Sequence, residues 1–204
     1  RQIDVPKCCL YNVISKSDIY KKASVGGIIT KSVFTITAIG SLLEVKGFDR
    51  LIRVAEMLKK DGISFCIQII GRGEKEAELK RLVHELNVEN EVHFLGFQAN
   101  PYPYLKESDI FISTSISEGF SLVICEALVL GIPIVATNTA GALELLEGGE
   151  YGVITEQNDL SIYVALKKYI TDETLRTEYH KKSLLRANIF EVQSVMSRFY
   201  EVIQ

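Results

Sequence analysis

Two carboxylates eight residues apart, Glu118 and Glu126, are the side chains of this sequence most able to do chemistry. Glu126 is the one charged residue in the run GFSLVICEALVLGIPIVATNTAGAL, from Gly119 to Leu143. A helix apolar on nearly every face is a buried helix, and an unpaired carboxylate within one is strongly disfavoured. No cation lies near Glu126 in the sequence, so it calls for a partner, from the protein or from a ligand that brings hydroxyl donors. Glu118 stands at the mouth of the same run, in Ser117-Glu118-Gly119-Phe120-Ser121, where the helix begins and its first N–H groups point outward. An anion suits those amides, and a neutral polyol suits Glu118. A phosphate over the amides of Phe120, Ser121 and Leu122, a hydroxylated ring at Glu118 and a ribose at Glu126 together describe a nucleotide sugar.

Three further loops follow strands and lead toward helices, the place where open parallel sheets bind ligands. Gly40-Ser41-Leu42-Leu43-Glu44-Val45-Lys46-Gly47 sets one cation, Lys46, just before a helix, either to hold a phosphate or as a solvated lysine at a glycine turn. Gly71-Arg72-Gly73 invites comparison with a dinucleotide fingerprint, but Glu76 stands where G-x-G-x-x-G needs its third glycine, and no G-K-[ST] occurs anywhere. It reads as a tight turn that still lets a ligand approach the backbone. Phe97, in Gly96-Phe97-Gln98, either stacks on a base or belongs to the core. His84, His93 and His180 fall on charged helices or within a strand and read as structural, Cys125 reads as an inert buried thiol, and there is no Asp-x-Asp pair to hold a metal-bound diphosphate.

The elements that position these loops follow from periodicity. Strands are expected at Val33 to Ile39, Phe65 to Ile70, Val92 to Leu95, Ile110 to Ser113, Pro133 to Thr137 and Tyr151 to Ile154. Helices are expected at Gly47 to Lys60, Glu74 to Leu86, Tyr102 to Lys106 and, buried, Phe120 to Leu130. Beyond Asn158 the pattern is wholly helical, near Asp159 to Ile170, Asp172 to Asn188 and Val192 to Ile203. The alternation predicts an α/β fold: a Rossmann-like parallel sheet of about six strands with helices on both faces, plus C-terminal helices. The first 24 residues read as a strand at Cys8 to Val13, without an obvious partner, followed by a polar connector, SKSDIYKKAS.

The whole chain narrows the function classes. Its 204 residues are 47% hydrophobic, enough to bury a full α/β core. The 26 acidic and 23 basic residues are interspersed, so no basic face is offered to nucleic acid. Four cysteines, two of them the adjacent Cys8 and Cys9, make neither a disulfide framework nor a metal-ligand spacing and fit a reduced cytoplasm. No apolar run is long enough to span a membrane, and the first residues lack the plan of a signal peptide. A start at Arg1 rather than methionine reads as a fragment.

Glu118-Gly119-Phe120 through Glu126 resembles the E-x7-E motif of the retaining GT-B glycosyltransferases of group 1. The resemblance runs in order from about residue 32 to residue 155. Gly40 to Gly47 is similar to the family's G-R-L-x-x-x-K-G loop, Gly71-Arg72-Gly73 to its G-x-G turn, Val92 to Phe97 to its V-x-F-L-G-F run, and Thr137 to Glu144 to its loop before G-x-x-E.

The resemblance implies a hexosyltransferase-like enzyme of polysaccharide or glycan synthesis that takes a nucleoside-diphosphate sugar, a UDP-sugar first, and needs no metal. Glu126 would hold the ribose hydroxyls and Glu118 would lie beside the transferred sugar. The loop at Gly119, Phe120, Ser121 and Leu122 would face the diphosphate or the sugar. Gly71, Arg72 and Phe97 would border the nucleotide, and Lys46 would neutralise charge that builds on the leaving diphosphate. The family's arginine in the first loop is Ser41 here, and Arg72 replaces it only if its side chain turns inward.

The resemblance also divides the chain. Residues 1–24 would end a missing N-terminal acceptor domain and its linker, 25–190 would be the donor domain, and 191–204 a helix that crosses back. Alone, such a piece would bind donor weakly and transfer nothing. A nucleotide-sugar epimerase of the same fold, or a non-catalytic nucleotide-sugar-binding module, are the alternative readings, and Ser41 favours the second.

Overall fold

The alternation of strand and helix closes into one parallel sheet in the computed structural model, which describes residues 11–25 and 33–203. The strands are β1 (Phe34–Ile39), β2 (Phe65–Ile70), β3 (Val92–Gly96), β4 (Ile110–Ser113), β5 (Ile134–Thr137) and β6 (Val153–Thr155). Their order across the sheet is β3-β2-β1-β4-β5-β6, every neighbouring pair parallel. The expected fold class and strand number hold.

Between the strands run α2 (Phe48–Lys60), α3 (Glu76–Glu85), α4 (Tyr102–Lys106), α5 (Leu122–Val129) and α6 (Ala140–Leu145), after a first helix α1 (Lys16–Ala23). Then come α7 (Asp159–Thr171), α8 (Glu173–Arg186) and α9 (Val192–Ile203). Side chains alternate across the pleat, so β1, β4, β5 and β6 feed two cores, while β2 and β3 feed one of them. Ile36, Ile67, Ile69, Ile110 and Ile112 pack with Leu51, Ile52 and Val54 of α2 and Ile162 and Leu166 of α7. Phe111, Ile134 and Ala136 pack on the other face with Ile124 and Leu128 of α5 and Leu145 of α6. Both faces being covered, the strands read as nearly unbroken apolar runs.

From β1 the chain proceeds to β2 on one side and only later to β4 on the other. The crevice outside the carboxyl ends of β1 and β4 is therefore the topological switch point of the sheet, where ligands of open α/β folds bind.

Four local expectations need correction. The polar connector is the helix α1: Ser15 caps it by accepting from the Asp18 N–H at 3.3 Å, and Ile19 and Ala23, one turn apart, are its buried residues. Two apolar positions in eight were too few to declare a period, and tertiary packing supplies the rest. Part of the loop from Thr137 to Glu144 is the helix α6, capped by Thr139 and buried through Gly141, Ala142 and Leu145. The buried helix starts at Leu122 rather than Phe120, because Ser121 takes the N-cap position and accepts from the Ile124 N–H. Of the strand expected at Cys8 to Val13, residues 11–13 carry no strand and 8–10 lie outside the described residues.

Candidate functional site

Three loop backbones are stitched together beyond the strand ends. Gly40 N–H donates to the Ile70 carbonyl, Leu42 N–H to Arg72 and Gly71 N–H to Gly96, at 2.9 to 3.0 Å. These bonds prolong the β1–β2–β3 ladder into the loops carrying Ser41, Arg72 and Phe97. Gly71 is required here: its φ is +150°, and a Cβ would stand 1.8 Å from the Gly40 carbonyl oxygen.

Across the switch point the loop after β1 is docked on the loop after β4. Ile116 N–H donates to the Val45 carbonyl at 2.8 Å, and the Thr114 hydroxyl donates to the Lys46 carbonyl at 2.9 Å. Gly47, at φ +61°, lets the Thr114 carbonyl approach where a Cβ would lie 2.3 Å away. The result is a pair: Lys46 Nζ lies 2.7 Å from Glu118 Oε1, and the Ser115 hydroxyl donates to Glu118 Oε2 at 2.9 Å. The Glu118 carbonyl in turn accepts from Gly141 N–H at 2.9 Å, and a Cβ on Gly141 would stand 2.8 Å from the Gly119 carbonyl. The start of α6 thus props the loop of Glu118 and Gly119.

A pocket of about 400 Å³ opens near this pair, lined by Gly40, Ser41, Arg72, Phe97, Gln98, Val123 and Glu126 but not by Lys46 or Glu118 themselves. The stem of Lys46 runs past Gly40, its Cε 3.5 Å from where a Cβ would be. Ser41, Arg72, Phe97 and Glu126, drawn from four separate segments of the sequence, thus meet at one cavity. Gly71 adjoins it through Gly40, while Gly119, Phe120, Ser121 and Leu122 lie on the loop leading into α5. Phe97 is 62% exposed, so of its two readings the core one is excluded. The Arg72 guanidinium stacks on its ring, 5.0 Å from the centroid, and both residues line the pocket.

Glu126 is half-buried, not sealed. On α5, Leu122, Val123 and Glu126 share one stripe: Leu122 is 52% exposed, and Val123 and Glu126 line the pocket. The other faces are buried as expected, through Ile124, Cys125, Ala127, Leu128 and Val129. The protein supplies Glu126 a partner that no motif indicated: the Tyr102 hydroxyl, from the first residue of α4, donates to Oε1 at 2.8 Å.

The electrostatics follow. Burial raises the Glu126 carboxyl above the ordinary carboxylate value, opposed by the Tyr102 hydrogen bond and the charge of Lys22. Burial, then the bond to Glu126, pushes the Tyr102 phenol to about 12. Burial foremost, with Glu126 next to it, raises the Cys125 thiol to about 12, which leaves it inert.

Gln98, Val123, Tyr102 and Ser115 escaped the sequence reading. Tyr102 lies 24 residues before Glu126, and only the fold, in which α1 packs on both α4 and α5, brings them together. A larger cavity of about 590 Å³ lies away from the pocket, between α2 and α3, with its ionic lining balanced by Arg50, Arg53, Lys75 and Arg81 against Glu44, Asp49, Glu78 and Glu85. No helix among the described residues is long and apolar enough to cross a membrane.

Known proteins resemble this chain over most of its length. A sequence model of the family described as "Glycosyl transferases group 1" matches residues 26–185. The N-acetylgalactosamine-N,N'-diacetylbacillosaminyl-diphospho-undecaprenol 4-alpha-N-acetylgalactosaminyltransferase of Campylobacter jejuni is 37% identical over 190 residues, covering 91% of this chain and 51% of that protein. A lipopolysaccharide core biosynthesis glycosyltransferase of Rhizobium meliloti is 29% identical over 143 residues, 70% of this chain and 41% of that protein. Among solved structures, HepE of Anabaena in complex with UDP superposes with a TM-score of 0.74 at 25% identity, over 95% of this chain and 56% of that one. The chain spans about half the length of the curated relatives it matches.

Proposed function

The chain belongs to the group 1 glycosyl transferases, and from that membership we propose that it is the donor-binding half of a retaining transferase that takes its sugar from a nucleoside diphosphate, UDP first. The observation that carries the reading is the pocket at the switch point, where Ser41, Arg72, Phe97 and Glu126 meet beside the Lys46–Glu118 pair. Glu126 accepts the ribose hydroxyls through its free oxygen. Phe97 borders the base, which a 62% exposed ring beside a cation is fit to do.

The diphosphate lies toward Lys46 and the amides of Phe120, Ser121 and Leu122. Arg72 supplies the second cation that Ser41 lacks, because Arg72 and Ser41 line the same pocket. As the glycosyl–oxygen bond breaks, charge grows on the departing diphosphate, and fixed cations already in place stabilise it without reorganising. The Lys46 and Arg72 cations serve this role in place of a metal ion. Glu118 sits beside the transferred sugar and accepts its hydroxyls. The donor half works against a second domain that holds the acceptor. On α9, Val192, Met196, Phe199 and Tyr200 are exposed at helical spacing and offer that domain an apolar face.

The HepE relative solved with UDP supports uridine as the first base to test. Relatives named for undecaprenol-linked sugar transfer and lipopolysaccharide core synthesis support a role in bacterial surface-glycan assembly. The test is titration of the chain with UDP. Wild type is expected to bind and Glu126→Ala to bind at least tenfold more weakly, the loss of about one hydrogen bond to a charged group; equal affinities overturn the site.

A further inference from the structure

We infer that Tyr102 is a positioning residue for donor binding: its hydroxyl occupies Oε1 of Glu126, fixes the carboxylate's rotation and leaves Oε2 turned to the ribose. This rests on the donor reading of the pocket and adds to it a residue outside every motif of the chain. Tyr102 does not line the pocket, although Pro101 before it does, so it acts through Glu126 rather than on the nucleotide.

Its own position is held from three sides. Pro101 stands at the N-cap of α4, and Pro103 in its first turn has the fixed φ that suits a helix start. The Lys22 ammonium lies over the Tyr102 ring, 5.8 Å from the centroid, and the Lys22 carbonyl accepts from the Asn100 side chain at 2.9 Å. The helix carrying Lys22, α1, is anchored to α5 by the Tyr20 hydroxyl, which donates to the Val129 carbonyl at 2.7 Å. A phenol clamped between α1 and α5 loses little freedom when it binds the carboxylate, so it can set the carboxylate's direction. Among the described residues Oε2 of Glu126 accepts no hydrogen bond, which leaves it to the ligand.

The groups facing Glu126 are Tyr102 from α4, Lys22 from α1, Cys125 on its own helix and Arg72 across the pocket. Tyr102 and Lys22 favour the charged carboxylate and burial opposes it. Without the phenol, Glu126 therefore takes up a proton at a higher pH, and its rotation is no longer held.

The experiment is UDP titration across the acidic and neutral range with wild type, Tyr102→Phe, Lys22→Gln and Glu126→Ala. Tyr102→Phe is expected to weaken UDP binding about tenfold at neutral pH, the worth of one hydrogen bond to a charged group. It should also move the acid limb of the binding profile to higher pH. Lys22→Gln moves that limb the same way by less, and decides the matter if Tyr102→Phe does not fold. An acid limb unmoved in either folded variant, or an affinity loss equal at every pH, overturns the inference and leaves the donor reading standing. Unchanged UDP affinity in Glu126→Ala overturns the donor reading itself.

Discussion

Lys46 Nζ and Glu118 Oε1 lie 2.7 Å apart, closing a cation from the loop after β1 onto a carboxylate from the loop after β4. The two side chains are 23% and 15% exposed, so water screens the pair only in part. A diphosphate that reaches Lys46 must share it with Glu118. The pair therefore keeps the cation extended and in place before the ligand arrives.

Lys46→Ala is expected to lower turnover of the enzyme that carries this chain by about a hundredfold, the usual effect of removing one preorganised charge from a transition state. Stability should change little, with a Lys46–Glu118 coupling of about 1 kcal/mol in a double-mutant cycle. Steady-state rates and urea unfolding of the two single variants and the double variant measure both. Full turnover without Lys46 would remove it from the reaction.

Glu126→Gln should trade binding for stability. The folded state raises the Glu126 carboxyl above its unfolded value, foremost through burial. Between those two values the folded chain holds a proton that the unfolded chain has lost, so stability falls as pH rises through that window. Above it the buried charge is a cost that glutamine does not carry. At neutral pH the variant is expected to gain on the order of 1 kcal/mol, seen as a higher Tm, while losing UDP affinity. A lower Tm in the variant would mean that the charge is fully compensated where it sits.

Arg72→Ala removes the cation that lines the same pocket as Glu126 and the stack on Phe97. Weakening of UDP by about tenfold is expected, with uridine affected much less because it has no phosphate. Ser41→Arg in the Arg72→Ala background should restore much of the UDP affinity. If the double variant stays as weak as the single one, the two positions do not serve the same phosphate.

The two glycines Gly71 and Gly119 separate backbone need from site role. Gly71→Ala forces a Cβ to within 1.8 Å of the Gly40 carbonyl at φ +150°, and a loss on the order of 3 kcal/mol is expected in urea unfolding. At Gly119 a Cβ meets nothing within 4 Å. Gly119→Ala should stay within about 0.5 kcal/mol of wild type, so any change in UDP affinity there reports on the site.

Most strands were legible to within a residue because an apolar run between glycine turns is a local signal. Tyr151 to Ile154 against the observed Val153–Thr155 is a small slip at a short sheet edge. Where burial depends on partners, local signals failed. Ile19 and Ala23 make α1 a helix only because α4 and α5 cover them, and Thr139 starts α6 where glycine and threonine suggested a loop. The helix of Glu126 was read as buried because its residues are apolar, yet apolar Leu122 and Val123 share an open stripe with Glu126. An apolar residue need not be buried, and composition does not tell a core face from a pocket face.

By itself the sequence determined the order of the elements, the four loops at the strand ends and the carboxylates, cations and aromatic that they carry. These depend on neighbours within a few residues. Tertiary structure alone decided which of those groups meet. Lys46 reaches Glu118 across 72 residues, Tyr102 reaches Glu126 across 24, and Arg72 stacks on Phe97 where both line the pocket. Those meetings follow from the strand order, which sets β1 beside β4, and from α1, which packs on both α4 and α5; no spacing along the chain encodes them.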